Sequence, residues 1–308
     1  MPAPKVLVIG AGAIGGFYGA LLAKAGAEVS VACRSDYDHV KQHGFSINSF
    51  QLGAWIFKPA QVLKQVDEYQ QSADYVLLCT KVTPSVDRVS LLRSALSPTT
   101  TLVFIQNGVD IEHELVAAFP DNEIISGLAF ICSNRTSAGA INHLAYGRLT
   151  LGPVSNRVST KYQQLVQLFN SAGIECKPSN AITTDRWKKC VWNAPFNPLS
   201  VLSGGLATLA ILETQETLVR KIMAEVCEIA AAAGHPLPED IIAFNITSTY
   251  AMPPYKTSML IDYEAGNALK TEAIIGNVVK SAHRSGVACP HLETIYALME
   301  LRALQLKA

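Results

Sequence analysis

Apolar residues follow two different rhythms along this chain. Up to about residue 178 they form short solid runs separated by glycines and polar turns; beyond it they recur every three or four positions. Lys5–Ile9 (KVLVI) predicts a buried strand ended by glycine, Ile14–Gly26 a helix that stops at Gly26, and Glu28–Cys33 a second strand followed at once by Arg34. Asp74–Thr80 and Thr101–Gln106 predict further strands with a helix between them; Ile111–Phe119 then predicts a helix and Glu123–Ile131 another strand. Such alternation implies a parallel sheet with helices on both faces. From Asp185 onward the spacing is helical, as in Leu218, Ile222, Val226 and Ile229, and both Ile229–Ala233 and Leu292–Leu306 continue it. The expectation is an α/β chain, with a parallel-sheet domain over residues 1–178 and an all-helical domain over 179–308.

Composition narrows the function classes. With 49% hydrophobic and 16% charged residues among 308, the chain is too apolar to remain disordered. Its 25 basic and 25 acidic residues cancel, which argues against nucleic acid or an anionic membrane as partner. Val6–Ala23 is uncharged and almost long enough to span a bilayer. Its glycines and the lack of a basic start and a small-residue cleavage site favour a strand, a turn and a helix instead. Seven dispersed cysteines (33, 79, 132, 176, 190, 227 and 289) form no CxxC pair. They read as reduced thiols of a cytoplasmic protein, with no metal site.

Gly10-Ala11-Gly12-Ala13-Ile14-Gly15 opens a helix straight after the first strand. Glycines there permit a tight turn and let backbone N–H groups approach a pyrophosphate at the helix N-terminus. At the end of the second strand, where NAD sites place an acid for the ribose 2′-hydroxyl, this chain has Arg34. A guanidinium suits a 2′-phosphate, so NADP(H) is expected over NAD(H); the rival reading is a solvated arginine balanced by Asp36 and Asp38. Lys81 and Asn107-Gly108 follow two other strands, where a ligand crevice is expected, although caps and turns also favour such residues.

In the second half, Lys189, Asn193 and Asn197 stand four apart and so share one helical face. One ammonium and two amides beside Trp187, Val191 and Phe196 read as a polar stripe lining a cleft; the alternative is a surface lysine next to Lys188. Pro195 is expected to kink the helix or end it early.

These residues together resemble the ketopantoate reductases (2-dehydropantoate 2-reductases). The likeness covers nearly the whole chain: the GAGAIG turn, Arg34, Thr80-Lys81, Ile105–Gly108, the segment from Lys189 to Ser200, Thr257–Leu260 with Asp262, Glu264-Ala265-Gly266, and Gly286-Val287. The resemblance implies a Rossmann-type N-terminal domain, a helical C-terminal domain for substrate and dimerisation, and NADPH-dependent reduction of 2-dehydropantoate to (R)-pantoate on the way to pantothenate and coenzyme A. It makes Lys189 the general acid, gives the substrate's hydroxyl and carbonyl to Asn193 and Asn197 and its carboxylate to Ser258, and sets Lys81 and Asn107 beside the cofactor. One position departs from the family. Counted without a gap, Lys270 falls where the family has a glutamate touching cofactor and substrate; with a local shift, Glu272 takes that cofactor-side place. Reduction of another 2-keto acid, or an NADP(H) sensor without turnover, are the competing readings.

Overall fold

Ten strands form a single sheet in the computed structural model, which describes residues 2–155, 157–252 and 255–306. They are β1 (Lys5–Ile9), β2 (Glu28–Ala32), β3 (Phe45–Ser49), β4 (Gly53–Phe57), β5 (Val62–Leu63), β6 (Tyr75–Leu78), β7 (Thr101–Ile105), β8 (Ile124–Ser137), β9 (Ala140–Pro153) and β10 (Cys176–Pro178). Their order is β4-β3-β9-β8-β7-β6-β1-β2-β5, with β10 paired to β9. From β5 through β2, β1, β6 and β7 to β8, every pair is parallel, the order of a doubly wound nucleotide-binding sheet. Central strands covered on both faces must be apolar throughout, which is why β1 reads as a solid run: Val6, Leu7 and Val8 are fully buried.

The expected parallel sheet is extended on one side by antiparallel strands. The strand expected to stop at Ile131 continues to Ser137, turns at Gly139 (φ +65°) and returns as β9 in an antiparallel ribbon with three register shifts. β3 and β4 form a second antiparallel pair, and β3 lies parallel to β9. In β3 buried and exposed residues alternate. Antiparallel strands tolerate water on one face, so their pattern is weaker than that of the central runs.

The sheet and its helices belong to one unit: the chain as far as Lys81, Val86–Gln106 and Glu112–Ile182. A second unit comprises Val82–Ser85, Asn107–Ile111 and the chain from Thr183 onward. Its helices are Ile182–Leu202, Thr208–Ala232, Ile241–Tyr250, Ser258–Glu264, Asn277–Ser285 and Pro290–Gln305, with one wide helical turn at Glu272–Gly276. Trp187, Val191, Phe196, Ile222, Val226 and Ile229 are fully buried at its centre. Helix Ile182–Leu202 passes through both Pro195 and Pro198 without ending, so the early stop expected at Pro195 does not occur. Its surroundings explain this: Ala194 and Phe196 are fully buried, and packing on every side offsets the missing backbone donors. No helix among the described residues is long and apolar enough to cross a membrane.

Candidate functional site

The three glycines of the first turn do different jobs. Gly10 has φ +87°, and a Cβ there would stand 2.7 Å from the Thr80 nitrogen, so the turn after β1 needs glycine. At Gly15 a Cβ would meet the Gly10 carbonyl oxygen at 2.4 Å, which keeps helix Ala13–Lys24 tight against β1. Gly12 has nothing within 4 Å of the same position. It is the N-cap of that helix, with no side-chain cap and no acid in the first turn. Open space before uncapped N–H groups is what a pyrophosphate requires, and the fold around Gly12 does not itself demand glycine.

Arg34 is exposed just past β2, and no described residue pairs with its guanidinium. The nearby acid is already engaged. Asp36, 4% exposed, accepts from Ser35 Oγ (2.8 Å) and the Gly139 N–H (3.1 Å) and pairs with Arg135. Burial alone would raise its pKa, but these donors outweigh that and hold it below the usual carboxylate range. Arg34 is therefore not balanced by Asp36, whose carboxylate is already engaged. Lys81 is exposed beyond β6, next to Thr80, whose carbonyl accepts from Gln106 Nε2 at 2.7 Å.

In the helical unit, Lys189 Nζ donates to Asn107 Oδ1 at 2.8 Å. Asn197, 2% exposed, donates from Nδ2 to the Asn193 Oδ1 and carbonyl oxygens, both at 3.2 Å, and accepts from the Met259 N–H at 3.3 Å. Asn107 itself is fixed by its neighbour: Gly108 has φ +126°, and a Cβ there would lie 2.6 Å from the Ala273 carbonyl oxygen. The turn at Asn107-Gly108 thus also places the Asn107 amide against Lys189. Lys189 is pushed down from 10.5 to about 7, first by burial and then by the charges of Arg186 and Lys270. A group poised there can hold or release a proton near neutral pH, as a general acid must.

The structure brings Lys189, Asn193, Asn197 and Asn107 together. Ser258 begins helix Ser258–Glu264, whose cap Thr257 bonds Ser200 Oγ at 2.7 Å. Glu272 has other partners: one carboxylate oxygen receives Tyr296 Oη at 2.7 Å and the other meets Lys280. Lys270 lies just before that wide turn, and its charge is one of those that push the Lys189 pKa down. Lys270 Nζ lies 2.6 Å from Asp262 Oδ2, with both side chains nearly buried. Arg186, 1% exposed and bonded to the Gly108 carbonyl at 3.0 Å, escaped the sequence reading. Its position one turn before Lys189 was the available signal.

The chain matches the family described as ketopantoate reductase PanE/ApbA over residues 6–156, and that family's C-terminal part over 181–303. It is 36% identical to a 2-dehydropantoate 2-reductase of Nostoc sp. over 303 residues, covering 95% of this chain and 93% of the relative. The crystal structure of 2-dehydropantoate 2-reductase from Methylococcus capsulatus superposes with a TM-score of 0.94 at 57% identity, over 99% of this chain and 98% of that one. That of the Geobacter metallireducens enzyme gives 0.90 at 32% identity, over 97% and 99%.

Proposed function

Because this chain belongs to the ketopantoate reductase family and is an oxidoreductase acting on CH–OH groups, we propose that it reduces 2-dehydropantoate to (R)-pantoate with NADPH, and that Lys189 is the general acid. The product feeds pantothenate and coenzyme A synthesis. The observation that carries this reading is the half-buried Lys189 ammonium, oriented by Asn107 and flanked by two amides.

Gly10–Gly15 and Arg34 fit a dinucleotide: Gly12 leaves space before uncapped N–H groups, and Arg34 offers an unengaged guanidinium. Lys81 and Asn107 stand beside the cofactor in this reading. Bound NADPH supplies a hydride, two electrons and a proton nucleus, to the keto carbon. Lys189 stabilises the negative charge developing on the carbonyl oxygen and transfers its proton there, leaving a hydroxyl and a neutral amine that solvent reprotonates. The hydrogen bond from Nζ to Asn107 Oδ1 at 2.8 Å orients the ammonium. Asn193 and Asn197 hold the substrate's hydroxyl and carbonyl, and Ser258 its carboxylate.

One observation favours a second reading, a bulkier 2-keto acid. Trp192, on the helix that carries Lys189, lies 5.0 Å from Phe196 of the same helix and 6.1 Å from Tyr255. A panel of 2-keto acids followed at the NADPH absorbance, with NADH in parallel, separates the two. 2-Dehydropantoate with the highest kcat/KM supports the first reading; preference for an aromatic or long aliphatic 2-keto acid selects the second, and no oxidation of NADPH with any of them overturns both.

A further inference from the structure

Helices Asn277–Ser285 and Pro290–Gln305 are joined by a short connection, residues 286–289. Gly286 ends the first helix in the left-handed region (φ +68°), and Pro290 opens the second with its fixed φ. The connection is held from outside as well. Glu225 of helix Thr208–Ala232 accepts from the His291 and Leu292 N–H groups at 3.0 and 2.9 Å. Three donor side chains of different chemistry converge at this corner: His283 from the last turn of the first helix, Cys289 at the N-cap of the second, and Glu293 four residues further on. His283 Nε2 lies 2.7 Å from Glu293 Oε1, and one ligand atom from each of the three lies within 4.8 Å of the others.

We propose that His283, Cys289 and Glu293 form a site for a divalent transition metal, Zn2+ foremost, that pins the two helices together. An exposed His–Glu pair alone would be ordinary, but it does not account for the thiol beside it. Cys289 is 1% exposed, and among the described residues its sulfur has no hydrogen-bond partner. Burial first, then the carboxylates of Glu293 and Glu225, push that thiol up to about 11. Its surroundings are thus negative and call for a cation. Zn2+ displaces the thiol proton to solvent and bonds the thiolate, the imidazole and the carboxylate, and water takes the fourth position. Imidazole and thiolate select Zn2+ over Mg2+ and Ca2+, which prefer oxygen. Bonds of about 2.3 Å to sulfur and about 2.0 Å to nitrogen and oxygen set tetrahedral ligands about 3.5 Å apart. The His283 and Glu293 side chains, 62% and 49% exposed, have room to open onto a cation. The spacing H-x5-C-x3-E contains no CxxC pair, so the expectation of no metal site passed over it. None of the three residues belongs to the Lys189 row, and the inference stands apart from the reductase reading.

The test titrates Co2+, a spectroscopic stand-in for Zn2+, into the reduced, chelator-treated full-length protein. One equivalent should bind with a thiolate-to-cobalt charge-transfer band in the near ultraviolet, and Zn2+ should displace it. Cys289→Ser should abolish the band. His283→Ala, which alters an exposed side chain, should weaken Co2+ and Zn2+ binding by at least the roughly 10- to 100-fold that losing an outer partner of a metal ligand costs. Zn2+ should raise the melting temperature of the wild type more than that of either variant, and Mg2+ and Ca2+ should leave it unchanged. Should Cys289→Ser fold poorly, the double change His283→Ala with Glu293→Gln touches only exposed side chains and should abolish the band in its place. The site is overturned by a wild type without the band, by a band that persists in Cys289→Ser or in the double variant, or by undiminished affinity in His283→Ala. A melting shift with Mg2+ or Ca2+ equal to that with Zn2+ also overturns it, as the mark of an acidic surface only.

Discussion

Lys189→Ala should lower kcat for 2-keto acid reduction by roughly 10²- to 10⁴-fold, the contribution of a positioned general acid. NADPH binding, measured by fluorescence titration, should be almost unchanged, because in the proposed mechanism the lysine acts on the carbonyl and the nucleotide turn lies elsewhere in the sequence. The wild-type pH profile carries the same signature. With its pKa lowered to about 7 by burial and by Arg186 and Lys270, Lys189 is an ammonium below that pH and a neutral amine above it. Reduction needs the ammonium. Thus kcat/KM should fall about tenfold per pH unit above roughly pH 7, whereas oxidation of pantoate, which needs the neutral amine, should rise over the same interval. The residual activity of Lys189→Ala should lack this limb. A variant with near-full kcat would remove Lys189 from the chemistry.

Arg34→Ala should weaken NADPH binding by roughly 10- to 150-fold, the worth of a charge-assisted bond to phosphate, and leave NADH binding nearly unchanged. Selectivity follows from what each cofactor presents. On the proposed reading a 2′-phosphate would meet an exposed guanidinium that no described residue engages, while the Asp36 carboxylate is already held by Arg135, Ser35 and Gly139. Equal losses for the two cofactors would show that Arg34 merely supports the loop.

Features encoded in contiguous sequence were legible. The Gly10–Gly15 turn lies between a buried strand and a helix, so three neighbouring elements announce one another, and the Lys189 row needs only the helical repeat. The β8–β9 ribbon was not legible beyond Ile131, because Ser133, Asn134 and Arg135 are partly exposed polar residues whose pairing with β9 supplies the strand geometry. Pro195 misled for a related reason: local propensity argues for a break, but the buried surroundings of Ala194 and Phe196 maintain the helix. The relation between Lys189 and Lys270 spans 81 positions and depends on the packing of the turn at Glu272–Gly276. The sequence posed the choice between Lys270 and Glu272; the partners of each, Asp262 for Lys270 and Tyr296 with Lys280 for Glu272, come only from the fold.

Burying Lys189 also has a thermodynamic consequence for the whole fold. An unfolded chain would keep this lysine protonated up to about pH 10.5, while the native protein gives up the proton near 7. Between those values the unfolded state binds more protons, so native stability must increase with pH. Buried thiols act in the opposite sense. Cys79, Cys176 and Cys190 are raised by burial from 9.0 to about 12, so above pH 9 unfolding releases protons that the native state retains. From these groups, the melting temperature of the ligand-free protein should climb from pH 7 toward 9 and then decline. Reduction should already be fading over that climb. Acidity at Lys189 thus separates the pH of greatest persistence from the pH of fastest turnover, and a Lys189→Met chain should lose the climb along with its chemistry.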